Sequence, residues 1–296
     1  MEQIRVLIVD DSFFMREALT KILSSDEIKV VGTAKNGKEG LEKVLELKPD
    51  VVTMDIEMPV MTGLEALKEI MNQEPVPVLM VSTLTTEGAD STLEALSLGA
   101  VDFITKKAAF KEMDSIKDDL IQKVISVGRN KGLKNQYIRQ RLLRKMSLQK
   151  KDDTGANILA KLDTLIDKKP EESIYPVTGR KRPNPDDIKI ICIGISTGGP
   201  AALNELIPSL PKEIPVPILI AQHMPPYFTN SLAKRLDGCS LLKVVEATDN
   251  EKILPGTVYI GPGGFQMTIN KFGRISISKE PENELFKPSV NILLNS

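Results

Sequence analysis

Long apolar runs, cysteine and histidine are scarce in this chain. No stretch approaches the ~18–20 apolar residues that a membrane span needs, so membrane insertion is not expected. The opening, "MEQIRVLIVDDS", is too short in apolar residues for a secretory core and meets acids at once. A cytoplasmic location is the expectation. The two cysteines, Cys192 and Cys239, lie far apart and form no CxxC pair, which argues against a disulfide framework and a zinc site. Cys192 sits in an apolar run and reads as a small core residue. The 39 basic and 40 acidic residues leave a net charge of −1, so bulk electrostatics draw the chain to neither nucleic acid nor membrane. Only one histidine, His223, occurs in 296 residues.

What is present divides into two modules, as the length favours. Over residues 1–127, short β-branched runs alternate with helical periodicity. "RVLIVD", "IKVVGTA", "DVVTMD", "VPVLMVS" and "AVDFIT" read as strands. Phe14-Ala18-Leu19-Ile22 and Leu64-Leu67-Met71 read as the apolar stripes of amphipathic helices. Such βα units with near-continuous apolar strands predict an α/β fold with a five-stranded parallel sheet covered on both faces.

Ligands bind beyond the carboxyl ends of such strands. Asp10 and Asp11 end the first strand, Asp55 the third, Ser82 the fourth and Lys106 the fifth. Clustered carboxylates repel unless a cation lies among them, and all-oxygen ligands suit Mg²⁺. Any one of these acids alone would read as a helix cap. A set of acids, a hydroxyl and a lysine distributed over separate strand ends is harder to explain that way.

"VLIVDDS", "VVTMDIEMPVMTGLEAL", "VPVLMVS" and "GAVDFITK" resemble the receiver domain of two-component response regulators, a flavodoxin-like fold. The resemblance implies that Asp55 accepts a phosphoryl group from a histidine kinase. It also implies that Asp10, Asp11, Asp55 and the backbone carbonyl of Glu57 hold Mg²⁺, and that Ser82 and Lys106 contact the phosphoryl oxygens. Receivers usually follow this lysine with proline, whereas Lys107 follows here. A non-proline cis bond costs about 3–4 kcal/mol, so a trans bond and a differently placed loop are expected.

Met113, Ile116, Leu120, Val124 and Val127 predict a helix closing the module. "RNKGLKNQYIRQRLLRKMSLQKK" then carries nine basic residues and no acid. With one aromatic, Tyr137, and no base-reading motif, it reads as a solvated, partly helical linker rather than a nucleic-acid site. The segment "KKPEESIYPVTGRKRPNPDD" has the composition of a flexible joint. The linker spans 128–187, and the second module spans 188–296.

That module opens on "IKIICIGISTGGPAAL". No lysine follows Gly199, so a Walker loop fails, and GxSTGG is not a dinucleotide fingerprint. The formal match is G-x-S-x-G, a turn that lifts Ser196 at a strand end. The next apolar run, "VPVPILIAQHMPPYF", ends at His223. A right-handed crossover would set the two strands side by side, with Ser196 and His223 at adjacent carboxyl ends. An imidazole there can take the serine proton, and the amides around Thr197, Gly198 and Gly199 can steady an oxyanion. Chain order excludes Ser…Asp/Glu…His and leaves Ser…His…Asp open.

"GISTGGPAAL", "AQHMPPYFTNSLAKRL", "LPGTVYIGPGGFQM" and "KPSVNILL" resemble the CheB-type protein-glutamate methylesterase domain, a doubly wound α/β fold. By that resemblance Ser196 attacks glutamate methyl esters on chemotaxis receptors, His223 is the base and Thr197 lies beside the nucleophile. Glutamine deamidation is a related activity, and no cofactor is implied in this domain. The receiver would cover the active site until Asp55 is phosphorylated. Gln266 stands where the resembled pattern has histidine, and "FKPSVN" where it has "HRPSVD". The pattern's aspartate lies in a Gly-Met-Gly-x-Asp-Gly stretch that these 296 residues lack. An incomplete esterase domain, weak activity and an unpaired sheet edge are therefore expected; Asp237, Asp249 and Glu251 lie in contexts unlike that stretch, and only full turnover would point to one of them as the third member. The alternative is a catalytically silent receiver and receptor-binding module.

Overall fold

The computed structural model describes residues 3–83, 86–106, 113–130, 137, 184, 187–284 and 286–296. The expectations for Lys107, and for the basic stretch from 131 onward apart from Tyr137, lie outside them. Five strands, β1 (Ile4–Val9), β2 (Ile28–Ala34), β3 (Val51–Asp55), β4 (Val78–Thr83) and β5 (Asp102–Lys106), alternate with α1 (Phe13–Leu23), α2 (Gly37–Leu47), α3 (Gly63–Gln73), α4 (Thr86–Leu98) and α5 (Met113–Arg129). The sheet order is β2-β1-β3-β4-β5 with every pair parallel. β3 is buried at all five positions, because helices cover both sheet faces and leave no polar side for alternation to mark. The strand order reverses between β1 and β3, which opens a crevice at their carboxyl ends.

The first helix differs from its expected stripe. Leu19 and Leu23 are buried, whereas Phe14 is 76% exposed beside Phe13, which is exposed too. Ser12 caps this helix and accepts from the Met15 amide, so Phe14 falls in its first turn. Hydrophobic periodicity selects the face but not where the chain enters the helix.

In the second module β6 (Ile191–Ile195), β7 (Ile218–Gln222), β8 (Lys243–Glu246) and β9 (Thr257–Ile260) form a parallel sheet in the order β6-β7-β9-β8. Helices α6 (Gly199–Ser209) and α7 (Phe228–Cys239) follow β6 and β7. A hairpin of β10 (Gln266–Ile269) and β11 (Ile275–Ser278) and a short α8 (Val290–Leu294) complete the described elements. β7 is central and wholly buried, while β6 lies at the sheet edge with Ile191 exposed.

The modules are packed together. Phe103 of β5 stacks on Phe228 of α7 with centroids 4.5 Å apart and planes 10° from parallel. Tyr137 is 9% exposed in this seam, and its hydroxyl donates to the Gly99 carbonyl at 3.0 Å. A solvated linker does not describe this residue: the ring gains apolar contact while its hydroxyl keeps a partner. Among the described residues no helix is long and apolar enough to cross a membrane.

Candidate active site

Two groups of side chains collect at strand ends, one in each module. In the first, Asp10, Asp11 and Asp55 each bring a carboxylate oxygen to within 4.8 Å of the others. Asp10 is wholly buried and Asp55 is 6% exposed. The aspartates do not cap α1, since Ser12 does. The Ser12 amide instead donates to Asp10 Oδ1 at 2.9 Å, and the Ile56 amide to Asp55 Oδ1 at 2.8 Å. Arg16, which pattern reading missed, donates to the Asp10 and Asp11 carbonyls at 2.8 and 2.9 Å. A cleft of about 460 Å³ adjoins the rim and is lined by Asp11, Glu57 and Thr62. Three oxygens this close, two of them on buried residues, fit a small hard dication. Ser82 and Lys106 lie in β4 and β5 at their carboxyl ends, with side chains outside the description.

In the second module β6 pairs with β7 in parallel, Ile195 opposite Gln222. Ser196 and His223 are the next residues of the two strands and stand side by side. The His223 amide donates to the Ile195 carbonyl at 3.2 Å. Ser196 is followed by Gly198 at φ 76°, which lets the chain reverse into α6. Gly199 is buried, and a Cβ there would lie 2.0 Å from Gln222 Oε1.

Phe286 meets the His223 ring edge to face, with centroids 4.5 Å apart. Its backbone is fixed by Gln266, which donates to the Phe286 carbonyl at 2.9 Å and accepts from the Ser289 amide at 2.7 Å. Two of the positions that depart from the resembled pattern, Gln266 and Phe286, are therefore joined to each other, and Phe286 reaches the histidine. Burial holds the His223 pKa below the ordinary histidine value, and the ammonium of Lys123 adds to the effect. No hydrogen bond to the His223 ring is found among the described residues. Asp237, Asp249 and Glu251 do not supply one: they accept from the amides of Val244, Ile277 and Thr248.

The receiver-like module reaches the serine turn. Gly198 N–H donates to Asp102 Oδ2 at 3.2 Å across the seam. Asp102 is 3% exposed, and Lys123 approaches the same oxygen to 3.4 Å. Desolvation raises the Asp102 pKa, with Lys123 opposing it. Ser196 itself remains exposed, so the contact grips the turn beside the serine without burying it. A cavity of about 630 Å³ continues along the seam between Gly99, Tyr137, Gly198 and Arg235.

Tyr227, at φ 74° and 62% exposed, precedes α7 close after His223. Val60 at φ 71° occupies the loop after Asp55. Non-glycine residues in this region carry strain of about 1–3 kcal/mol and concentrate at functional sites. No sequence pattern pointed to either residue, nor to Asp102. Gln222 had a usable signal, a lone amide ending the apolar run "ILIAQ".

Residues 191–296 match the family described as CheB methylesterase, and residues 6–117 match the response regulator receiver domain. The protein-glutamate methylesterase/protein-glutamine glutaminase of Archaeoglobus fulgidus is 43% identical over 297 residues, covering 99% of this chain and 76% of that protein. The protein of the same description from Bacillus licheniformis is 44% identical over 301 residues, covering 99% and 77%. The crystal structure of the response regulator domain of Thermotoga maritima CheB is 52% identical, covers 43% of this chain and 97% of that chain, and has a TM-score of 0.41.

Proposed function

Because the chain belongs to the CheB-type methylesterases that carry a response regulator receiver domain, we propose that it hydrolyses glutamate methyl esters on chemotaxis receptors, acting from the cytoplasm. Ser196 is the nucleophile, His223 the base and Thr197 the residue flanking the nucleophile. The observation that carries this reading is the parallel β6–β7 pairing, which sets Ser196 beside the chain's one histidine.

Ser196 Oγ attacks the ester carbonyl as His223 takes its proton, and backbone N–H groups of the turn stabilise the tetrahedral oxyanion. Collapse breaks the acyl–oxygen bond, and the imidazolium returns the proton to methanol. Water, deprotonated by His223, then cleaves the acyl-enzyme, releasing the glutamate carboxylate and restoring Ser196. Glutamine follows the same course with ammonia leaving. The lowered His223 pKa supports the base role, because the neutral imidazole persists at neutral pH.

Regulation enters through the seam. A histidine kinase supplies the phosphoryl group to Asp55. Asp10, Asp11, Asp55 and the Glu57 carbonyl would hold Mg²⁺, which offsets the charge of an incoming phosphoryl group. Lys106 and Asp102 are the two ends of β5, about 13 Å apart at strand rise. One short strand thus joins the phosphoryl-binding rim to the Gly198 turn, which supports a docked, restrained esterase released by phosphorylation.

The test is methanol release from methylated receptor membranes. Ser196→Ala and His223→Gln should each reduce turnover by several orders of magnitude. Turnover that survives Ser196→Ala would remove the serine mechanism and leave the silent signalling module.

A further inference from the structure

We propose that Gln222 is a positioning residue for the serine–histidine pair, its side-chain amide holding both catalytic main chains in register. The inference rests on the roles given above to Ser196 and His223. Gln222 Nε2 donates to the Ser196 carbonyl and to the His223 carbonyl, each at 3.2 Å. One donor group therefore ties the backbone of the nucleophile to the backbone of the base. Through the main chain alone, the two strand ends are joined one residue earlier, where the His223 amide meets the Ile195 carbonyl.

The orientation of this amide is fixed by its partners. Turned over, its oxygen would face two carbonyl oxygens, so the NH₂ must point at them. Oε1 is then directed at the start of α6, where it is buried without a hydrogen-bond partner. It also denies Gly199 any side chain, since a Cβ there would lie 2.0 Å away. Gln222 is 1% exposed and ends a strand otherwise made of Ile218, Leu219, Ile220 and Ala221. An apolar residue of similar volume would avoid the unpaired acceptor but would leave the Ser196 and His223 carbonyls without their donor. A buried polar side chain with its acceptor unpaired and its donor on both main chains, directly beneath a reacting pair, points to a role in geometry.

The experiment compares Gln222→Met, close in volume and without a donor, with Gln222→Glu, close in shape and without the NH₂. Both are made in the intact chain, with Ser196→Ala as control; kcat, KM and thermal midpoint are measured for each. Misplacement by about 1 Å can cost 10²-fold, so Gln222→Met should lose at least ~100-fold in kcat. Its KM should stay within ~2-fold, since substrate contacts remain, and its thermal midpoint should fall only by what two lost hydrogen bonds bring, leaving the chain folded at the assay temperature. Gln222→Glu should be as slow and less stable, because a carboxylate must then be buried against two carbonyls. A Gln222→Met chain with undiminished kcat, or one whose activity falls only with its stability, overturns the proposal. Activity surviving Ser196→Ala would instead overturn the site assignment on which it stands.

Discussion

His223 is held in a setting that disfavours its protonated form. Burial contributes most and Lys123, reaching over from α5, contributes next; Asp119 and Asp102 act in the opposite sense. With the folded pKa below the ordinary value of 6.5, the unfolded chain binds more protons between the two values. The neutral imidazole's contribution to stability is therefore complete above 6.5 and is lost as pH falls through that window. Catalysis follows the same sign. The acid limb of the kcat/KM profile should lie below 6.5 in the docked protein. Lys123→Gln removes a neighbouring cation and loosens the seam, and both changes should move the limb upward. An unmoved limb in that variant would disconnect Lys123 from the base.

Among the elements, the junction of β3 with α3 is the least tolerant. Gly63 begins α3, and a Cβ there would approach the Asp55 carbonyl oxygen to 1.9 Å. The Gly63 amide donates to the Ile56 carbonyl at 2.9 Å. Thr62 and Glu65 close the helix start with a reciprocal capping box. The helix is thus pressed against the strand end that presents Asp55. Gly63→Ala should cost about 1–3 kcal/mol through overpacking. It should also slow phosphoryl labelling of Asp55 by a small phosphodonor, since the carboxylate and its carbonyl move together. Denaturant unfolding and label incorporation check the two parts, and a variant with unchanged stability would show that the loop yields.

On the scale of the whole molecule, the seam decides what each site can do to the other. The Asp102–Gly198 hydrogen bond and the Phe103–Phe228 stack seat β5 against the segments that follow Ser196 and His223. Deleting residues 1–150 should raise basal esterase activity, and Asp102→Ala in the intact chain should raise it by a smaller factor. Phosphorylation should do the same only where Asp55 is present, so Asp55→Asn should remain at the basal rate. A ligand or modification shifts such an equilibrium only through contacts that differ between its states. Equal methanol release from the intact, deleted and phosphorylated proteins would discard the coupling.

The sequence alone determined what recurs locally. "IKVVGTA" is β2 residue for residue, and the acids, Ser196 and His223 fall at strand ends because each of these strands is one apolar run with a polar stop. It also carried the pairing of β6 with β7, through the handedness of a crossover. Tertiary structure decided what depends on distant partners. Phe14 satisfies the helical period and yet faces outward, Tyr137 belongs to a polar segment and yet is buried, and Asp102 gives no strand-end signal because it lies at the amino end of β5. Its link to the serine turn arises only when Gly198, 96 positions away, donates to it. Periodicity records which face of an element is buried; the group that a face meets is fixed by packing between elements that no local pattern encodes.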